Sequence, residues 1–105
     1  MKPNKETLYS AVVNCLRNIY DPEIPVNIYD LKLIYDITID DEFNVKILMT
    51  MTAPDCPEAE FMFKEVHDMI TVIEGVKTVT VEVTFDPPWT PDMLSDEVKL
   101  ELGFL

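Results

Sequence analysis

The stretch "FNVKILMTMTAPDCPEAEFMFKEV", residues 43–66, changes from one hydrophobic period to another part of the way along. Every second residue from Val45 to Met49 is apolar, which predicts a β-strand with one buried face. Further on, Met62 and Val66 are four apart, the spacing of one face of a helix. One proline ends the strand, and a second suits the first turn of the helix. The stretch therefore predicts a strand–helix unit with Cys56 at the junction.

Two more strands flank this unit. Upstream, apolar alternation over Leu33–Ile39 and the turn "DDEFN", residues 40–44, predict a hairpin. Downstream, Gly75 suits the left-handed end of the helix, and "VKTVTVEVTF", residues 76–85, predicts a third strand. A strand–helix–strand connection is almost always right-handed and joins parallel strands. The second and third strands should therefore be parallel.

The two ends of the chain complete the fold. An apolar stripe over residues 5–20 predicts a first helix that ends before Pro22, and Thr90 and Ser95 are helix-start residues in the tail. The predicted fold class is α+β, a two-layer sandwich with helices on one face of a small three-stranded mixed sheet, in the order α-β-β-α-β-α. A chain of 105 residues is expected to form one domain, residues 1–105.

A formal net charge of −12 restricts the classes of partner. Nucleic acid and anionic membrane surfaces would be repelled, whereas a basic protein surface or a metal ion would be attracted. The N-terminus lacks the apolar core of a signal peptide, and no apolar run approaches the roughly 18 residues of a membrane span. We expect a cytoplasmic protein, in which the two cysteines are reduced.

Cys56 is the first candidate functional residue. A thiol at a helix start is stabilised as the thiolate by the helix dipole, and the thiolate is the form that attacks or binds metal. Asp55, Glu58 and Glu60 oppose this effect with negative charge. The alternative is that Cys56 is a small residue packed at the bend between strand and helix.

The remaining candidates have structural alternatives as well. Cys15 lies on the apolar stripe of the first helix, and His67 is eleven residues from Cys56, roughly 16 Å along one helix, which favours packing and surface roles respectively. Asp21, Glu23 and Asp30 could hold a hard cation, but turn and cap contacts explain Asp21 and Asp30 equally well.

Conventional enzyme motifs are absent from the sequence. It contains no glycine-rich phosphate loop, no serine–histidine pair and no paired-cysteine zinc motif. A hydrolase or transferase with Cys56 as nucleophile would lack an evident base. Trp89, in "DPPWT", is either a packing anchor or an exposed contact for a partner.

Three separated motifs carry a resemblance that covers nearly the whole chain from about Leu8. They are "DPEIPVNIYDLKLIYDI", "MTMTAPDCP" and "VTVEVTFDPPWTPDML…LG". In order and spacing they resemble the small iron–sulfur cluster assembly domain family, which includes SufT, the PaaD-like proteins and the eukaryotic cytosolic cluster-targeting factors. The chain departs from the family at Lys32 and Asp55, where the family often has glycine. Asp55 places a carboxylate beside the thiol.

The resemblance implies an auxiliary maturation factor that is not itself an enzyme and that helps to deliver or insert Fe–S clusters into client proteins. It assigns the functional thiol to Cys56, as a transient ligand of iron or of a cluster. The family's acidic motif matches Asp21 and Glu23, and its next aspartate matches Asp30. Its threonine-rich strand end and its diproline turn match, in this chain, Thr50, Thr52 and residues 86–89.

Residue patterns and resemblance agree on one location. Thr50 and Thr52 share a strand face that leads to Cys56, so one end of the sheet is predicted to gather these residues with the acidic loop. One thiolate cannot complete the four ligands of a cluster, so others would come from a second subunit in a homodimer, a client or a small thiol. The expected partners are Fe–S client or assembly proteins. The alternative function is an acidic protein–protein adaptor, for example a PaaD-like factor that assembles a multicomponent oxygenase.

Overall fold

The structure is a computed structural model that describes residues 4–21, 25–51 and 59–103. The element order α-β-β-α-β-α confirms the predicted α+β class. A short 3-10 helix at Pro91–Met93 precedes the last α-helix. The helices and strands are α1 (Lys5–Leu16), β1 (Ile34–Ile39), β2 (Asn44–Met49), α2 (Ala59–Thr71), β3 (Thr78–Val83) and α3 (Asp96–Leu102).

The sheet has the strand order β1-β2-β3. Strands β1 and β2 form the predicted antiparallel hairpin, and β2 and β3 are parallel, as the intervening helix requires. The register of β1 against β2 shifts between Ile34 and Asp36, which leaves Tyr35 without a partner on β2. Such a bulge re-aims a side chain and bends the strand.

The core lies between the sheet and the helices. Val45, Ile47 and Met49 of β2 are fully buried, so the alternation that predicted this strand is confirmed. The opposite face of the sheet is polar, and on it Lys46 pairs with Glu82 across 3.3 Å. The other buried apolar residues come from the helices, the loop before β1 and the tail: Leu8, Val12, Leu16, Ile19, Val26, Ile28, Leu31, Leu33, Met62, Val66, Ile70 and Leu94.

Helix α1 begins as predicted and ends earlier than predicted. Asn4 caps it, because its side chain accepts a hydrogen bond from the Thr7 N–H at 2.8 Å while Thr7 bonds back to Asn4. The sequence predicted an end near Tyr20, but the helix stops at Leu16. The next residues form a tighter turn, which buries Ile19 and lets Tyr20 pair with Asn27.

The turn of the hairpin is organised by Asp40. Its carboxylate accepts hydrogen bonds from the backbone N–H groups of Glu42 and Asn44, each at 2.9 Å, and from the Asn44 side chain at 3.0 Å. These bonds, led by those from Asn44, hold the pKa of Asp40 below its ordinary value. Phe43 adopts a left-handed conformation at φ 65° within this turn.

Helix α2 ends at Thr71, and Gly75, at φ 100°, completes the turn that leads to β3. This confirms the sequence-based role of Gly75, since a positive φ strongly favours glycine. The predicted start of the helix near Pro57 lies outside the described residues. Within the described ranges, no helix combines the length and the apolar character that a bilayer crossing requires.

Candidate functional site

The start of β1 and the ends of β2 and β3 meet at one end of the sheet. The Thr50 N–H donates to the Leu33 carbonyl at 2.8 Å, and the Thr84 N–H donates to the Met49 carbonyl at 2.9 Å. Backbone bonds therefore join all three strands at this end. It is also the end from which the chain leaves β2 toward residues 52–58.

Thr50 carries the most unusual polar group at this end. Its side chain is 0% exposed, and its hydroxyl makes no hydrogen bond within the described part of the chain. Burial raises the pKa of the nearby Tyr35 phenol, and the Thr50 hydroxyl offsets part of that rise. The phenol donates instead to the Pro87 carbonyl at 2.7 Å, which leaves the Thr50 hydroxyl without a partner of hydrogen-bond geometry. A buried hydroxyl in this state destabilises the fold, so another role must explain it.

The acidic loop is held in place by its own side chains. Asn27 accepts a hydrogen bond from the Asp30 N–H at 2.8 Å, and its amide donates to the Asp30 carboxylate at 2.8 Å. Arg17 lies 3.7 Å from the same carboxylate. Asp30 thus makes the turn contacts that the sequence analysis considered as the alternative to a ligand role.

Asp21 is 7% exposed, and its backbone N–H donates to the Val26 carbonyl at 3.4 Å. It therefore lies at the buried base of the loop, in a chain segment that the Tyr20–Asn27 bridge closes. The site role predicted for it stays a prediction.

Lys32 explains one departure from the family pattern. Its φ is 63°, the left-handed region in which glycine has no steric penalty. The resemblance places a glycine at this position in many relatives, and the structure supplies the physical reason. In this chain a lysine adopts the same backbone conformation just before the strand.

The diproline turn is fastened to the same end of the sheet. The Trp89 indole N–H donates to the Leu31 carbonyl at 2.6 Å, and Tyr35 bonds to Pro87. Trp89 is half-buried and packs against the core, which is the packing role considered for it from sequence. A contact of Trp89 with a partner remains a prediction.

The structure brings Thr50, Asp30 and the turn at residues 86–89 into one half of the molecule through these bonds. Three predicted site residues, Glu23, Thr52 and Cys56, lie outside the described residues. Among those described, no group of three or more histidine, cysteine or acidic side chains could hold a metal ion.

The two alternative chemical residues have structural surroundings. Cys15 is a free, half-buried thiol whose pKa is raised by burial and, to a lesser extent, by the charge of Glu65. A raised pKa keeps this thiol protonated and poorly reactive. His67 is half-exposed and lies 3.2 Å from its neighbour Asp68, as expected for a surface residue.

Sequence reasoning missed Tyr35 as a member of this region. It was predicted only as one of an alternating apolar row, and no sequence signal marks the bulge that frees it from the hairpin register. Its hydrogen bond to Pro87 crosses 52 residues of sequence, a pairing that no local pattern encodes.

The fold and these motifs define a small domain of one family. Residues 10–83 match the model of the family described as iron–sulfur cluster assembly protein, and the chain belongs to that family. It is 49% identical to a Porphyromonas gingivalis protein named "Fe-S protein maturation auxiliary factor", with 90% of each chain covered. It is also 33% identical to the Staphylococcus aureus "Fe-S protein maturation auxiliary factor SufT", over 81% of this chain and 97% of that one.

Solved structures agree with the fold. A domain of unknown function from Bacillus anthracis superposes with a TM-score of 0.85 at 34% identity, covering 95% of each chain. The chain is also similar to a PaaD-like protein of Escherichia coli, named as a putative component of 1,2-phenylacetyl-CoA epoxidase, at 34% identity over 83% of this chain and 52% of that protein.

Proposed function

We propose that this protein is an auxiliary factor that helps to assemble iron–sulfur clusters or insert them into client proteins, without itself being an enzyme. Cys56 acts as the thiol that transiently ligates iron or a cluster, or that engages a client thiol. The cluster is cargo and passes through the protein. The role is carried out in the cytoplasm.

The observation that carries the proposal is the family match together with the names of two close relatives. A relative of nearly equal length and 49% identity is named as an Fe–S maturation factor, and a second relative has the same description. Family membership is a stronger argument here than fold, because one fold hosts many functions.

The Thr50 hydroxyl supports the location of the site. A fully buried hydroxyl without a partner in the described part of the chain is costly, and such groups persist where a function uses them. Thr50 lies six residues before Cys56, at the end of the strand that leads to it. We infer that Thr50 and Thr52 line the approach to the thiol, and that Asp21, Glu23 and Asp30 orient a partner beside it.

Cluster binding would need ligands from outside this chain. A single thiolate supplies one of four cluster ligands. Because Cys15 is half-buried with a raised pKa, it is a poor second ligand. The remaining ligands come from a second copy of the chain, a client protein or a small thiol.

Anaerobic reconstitution with iron, sulfide and a small thiol tests the ligand role. The wild-type protein should develop sulfur-to-iron charge-transfer absorption, and Cys56→Ala should not. Cys15→Ala is the matched control and should behave as wild type, since it removes the other thiol. Spectra of wild type and Cys56→Ala that coincide would exclude Cys56 as a ligand.

A second candidate is a protein–protein adaptor, favoured by the net charge of −12 and by the similarity to an epoxidase component. In this role the acidic surface docks a basic client, and the thiol is not needed. Affinity capture from an extract of the native host separates the two. Loss of the captured clients with Cys56→Ala supports the thiol role, and an unchanged set of clients supports the adaptor.

A further inference from the structure

We propose that the groove between the acidic loop and α3 binds an arginine side chain presented by a basic segment of a partner protein. The groove has a volume of about 400 Å3. Tyr20, Val26 and Asp30 line its loop side, and Glu97, Val98 and Glu101 line its helix side.

The helix side presents two carboxylates that the described fold does not use. Glu97 and Glu101 are four residues apart on α3, which puts both on one face of the helix. Neither forms an ion pair within the described residues, although both are exposed to the groove. Like charges at this spacing repel and weaken a helix, so a cation between them would relieve an existing cost.

The groove's own cation is already occupied. Arg17 lies 3.7 Å from the Asp30 carboxylate and stacks over the Tyr29 ring, 5.2 Å from its centroid. These two contacts hold the guanidinium on the loop side. It therefore neutralises Asp30 and leaves Glu97 and Glu101 for an incoming charge.

The rest of the lining suits a guanidinium better than an ammonium. Tyr20 is 61% exposed and offers a large aromatic ring at the groove. A planar guanidinium can stack on such a ring while its fork of N–H groups reaches two carboxylates, whereas a lysine acts as a point charge. Val26 and Val98 give an apolar surface for the side-chain stem.

The charge of the whole protein selects the kind of partner. At a net charge of −12, a second copy of this chain would be repelled from the groove, whereas a basic segment would be steered toward it. Tyr20 and Val26 flank the acidic motif at residues 21–23 in the sequence. A segment bound in the groove would therefore lie next to the loop that we assign to partner orientation.

Peptide binding tests this proposal directly. The probe is a fluorescein-labelled peptide of three Gly-Ser-Arg repeats, with lysine and citrulline versions of equal length, titrated in 150 mM salt to screen long-range attraction. The groove variant is Glu97→Gln with Glu101→Gln. The control variant is Glu6→Gln with Glu74→Gln, which removes the same charge at exposed positions outside the groove. Thermal melts verify that both variants fold.

The groove variant should bind the arginine peptide about tenfold more weakly than wild type, because charge-assisted hydrogen bonds are lost, and the control variant should change less than about twofold. Tyr20→Ala should weaken binding about threefold, and Tyr20→Phe should not. Equal losses in the two charge variants would overturn the groove, and equal affinity for the arginine and lysine peptides would overturn the choice of arginine. Because no cluster is involved, either failure is distinguishable from failure of the proposed function.

Discussion

Lys32 is a lysine in a backbone conformation that favours glycine, at φ 63°. The left-handed conformation costs an L-residue about 1 kcal/mol, and the greater freedom of glycine in the unfolded chain offsets part of that. We predict that Lys32→Gly raises the free energy of unfolding by about 0.5 kcal/mol, measured by urea denaturation. Lys32→Ala is the control and should give no gain, since it keeps the Cβ. A loss of stability in Lys32→Gly would contradict this account.

Thr50 is expected to separate stability from function. Replacing its unpartnered buried hydroxyl by a methyl group in Thr50→Val should stabilise the fold by about 1 kcal/mol, because a desolvated polar group is removed at nearly constant volume. The same variant should impair cluster reconstitution if the hydroxyl serves the site. Thr80→Val, on the exposed face of β3, is the matched control and should leave reconstitution unchanged. A destabilised Thr50→Val would mean that the hydroxyl has a structural partner.

At the scale of elements, the tail is attached to the loop before β1 by one short hydrogen bond. The Trp89 indole donates to the Leu31 carbonyl at 2.6 Å, and the ring packs against the core. Trp89→Phe keeps an aromatic ring but leaves that carbonyl unpaired, so we predict a loss of about 2 kcal/mol in urea denaturation. Tyr20→Phe, at an exposed ring, should change stability little. Equal stability of Trp89→Phe and wild type would show that the tail is held by other contacts.

The hairpin turn should make part of the stability depend on pH. The pKa of Asp40 is lowered in the folded state by hydrogen bonds, chiefly from Asn44. Its contribution is therefore fully present above the unfolded-state pKa, about 3.9, and is lost as the pH falls through the lower folded-state pKa. The difference in urea midpoint between wild type and Asp40→Ala should be large at pH 7 and shrink between pH 4 and pH 2. For Glu74→Gln, an exposed control, no such change is expected, and a pH-independent difference for Asp40→Ala would contradict the assignment.

For the whole molecule, sequence reasoning succeeded where burial follows a local period. The alternation from Val45 to Met49 predicted both the strand and its buried face, and the single glycine between α2 and β3 predicted the turn. It could not predict the burial of Thr50, because that depends on how segments distant in the sequence pack against the end of β2. The groove contacts of Arg17 likewise arise only after α1 ends early and the loop folds back.

The central claim is that this protein serves iron–sulfur maturation through Cys56. The most direct measurement is the specific activity of an Fe–S enzyme such as aconitase in the native host, with this gene deleted and then restored. The account predicts reduced activity at unchanged enzyme level in the deletion, and recovery with the wild-type gene or Cys15→Ala but not with Cys56→Ala. Full activity in the deletion, or recovery with Cys56→Ala equal to wild type, would contradict it.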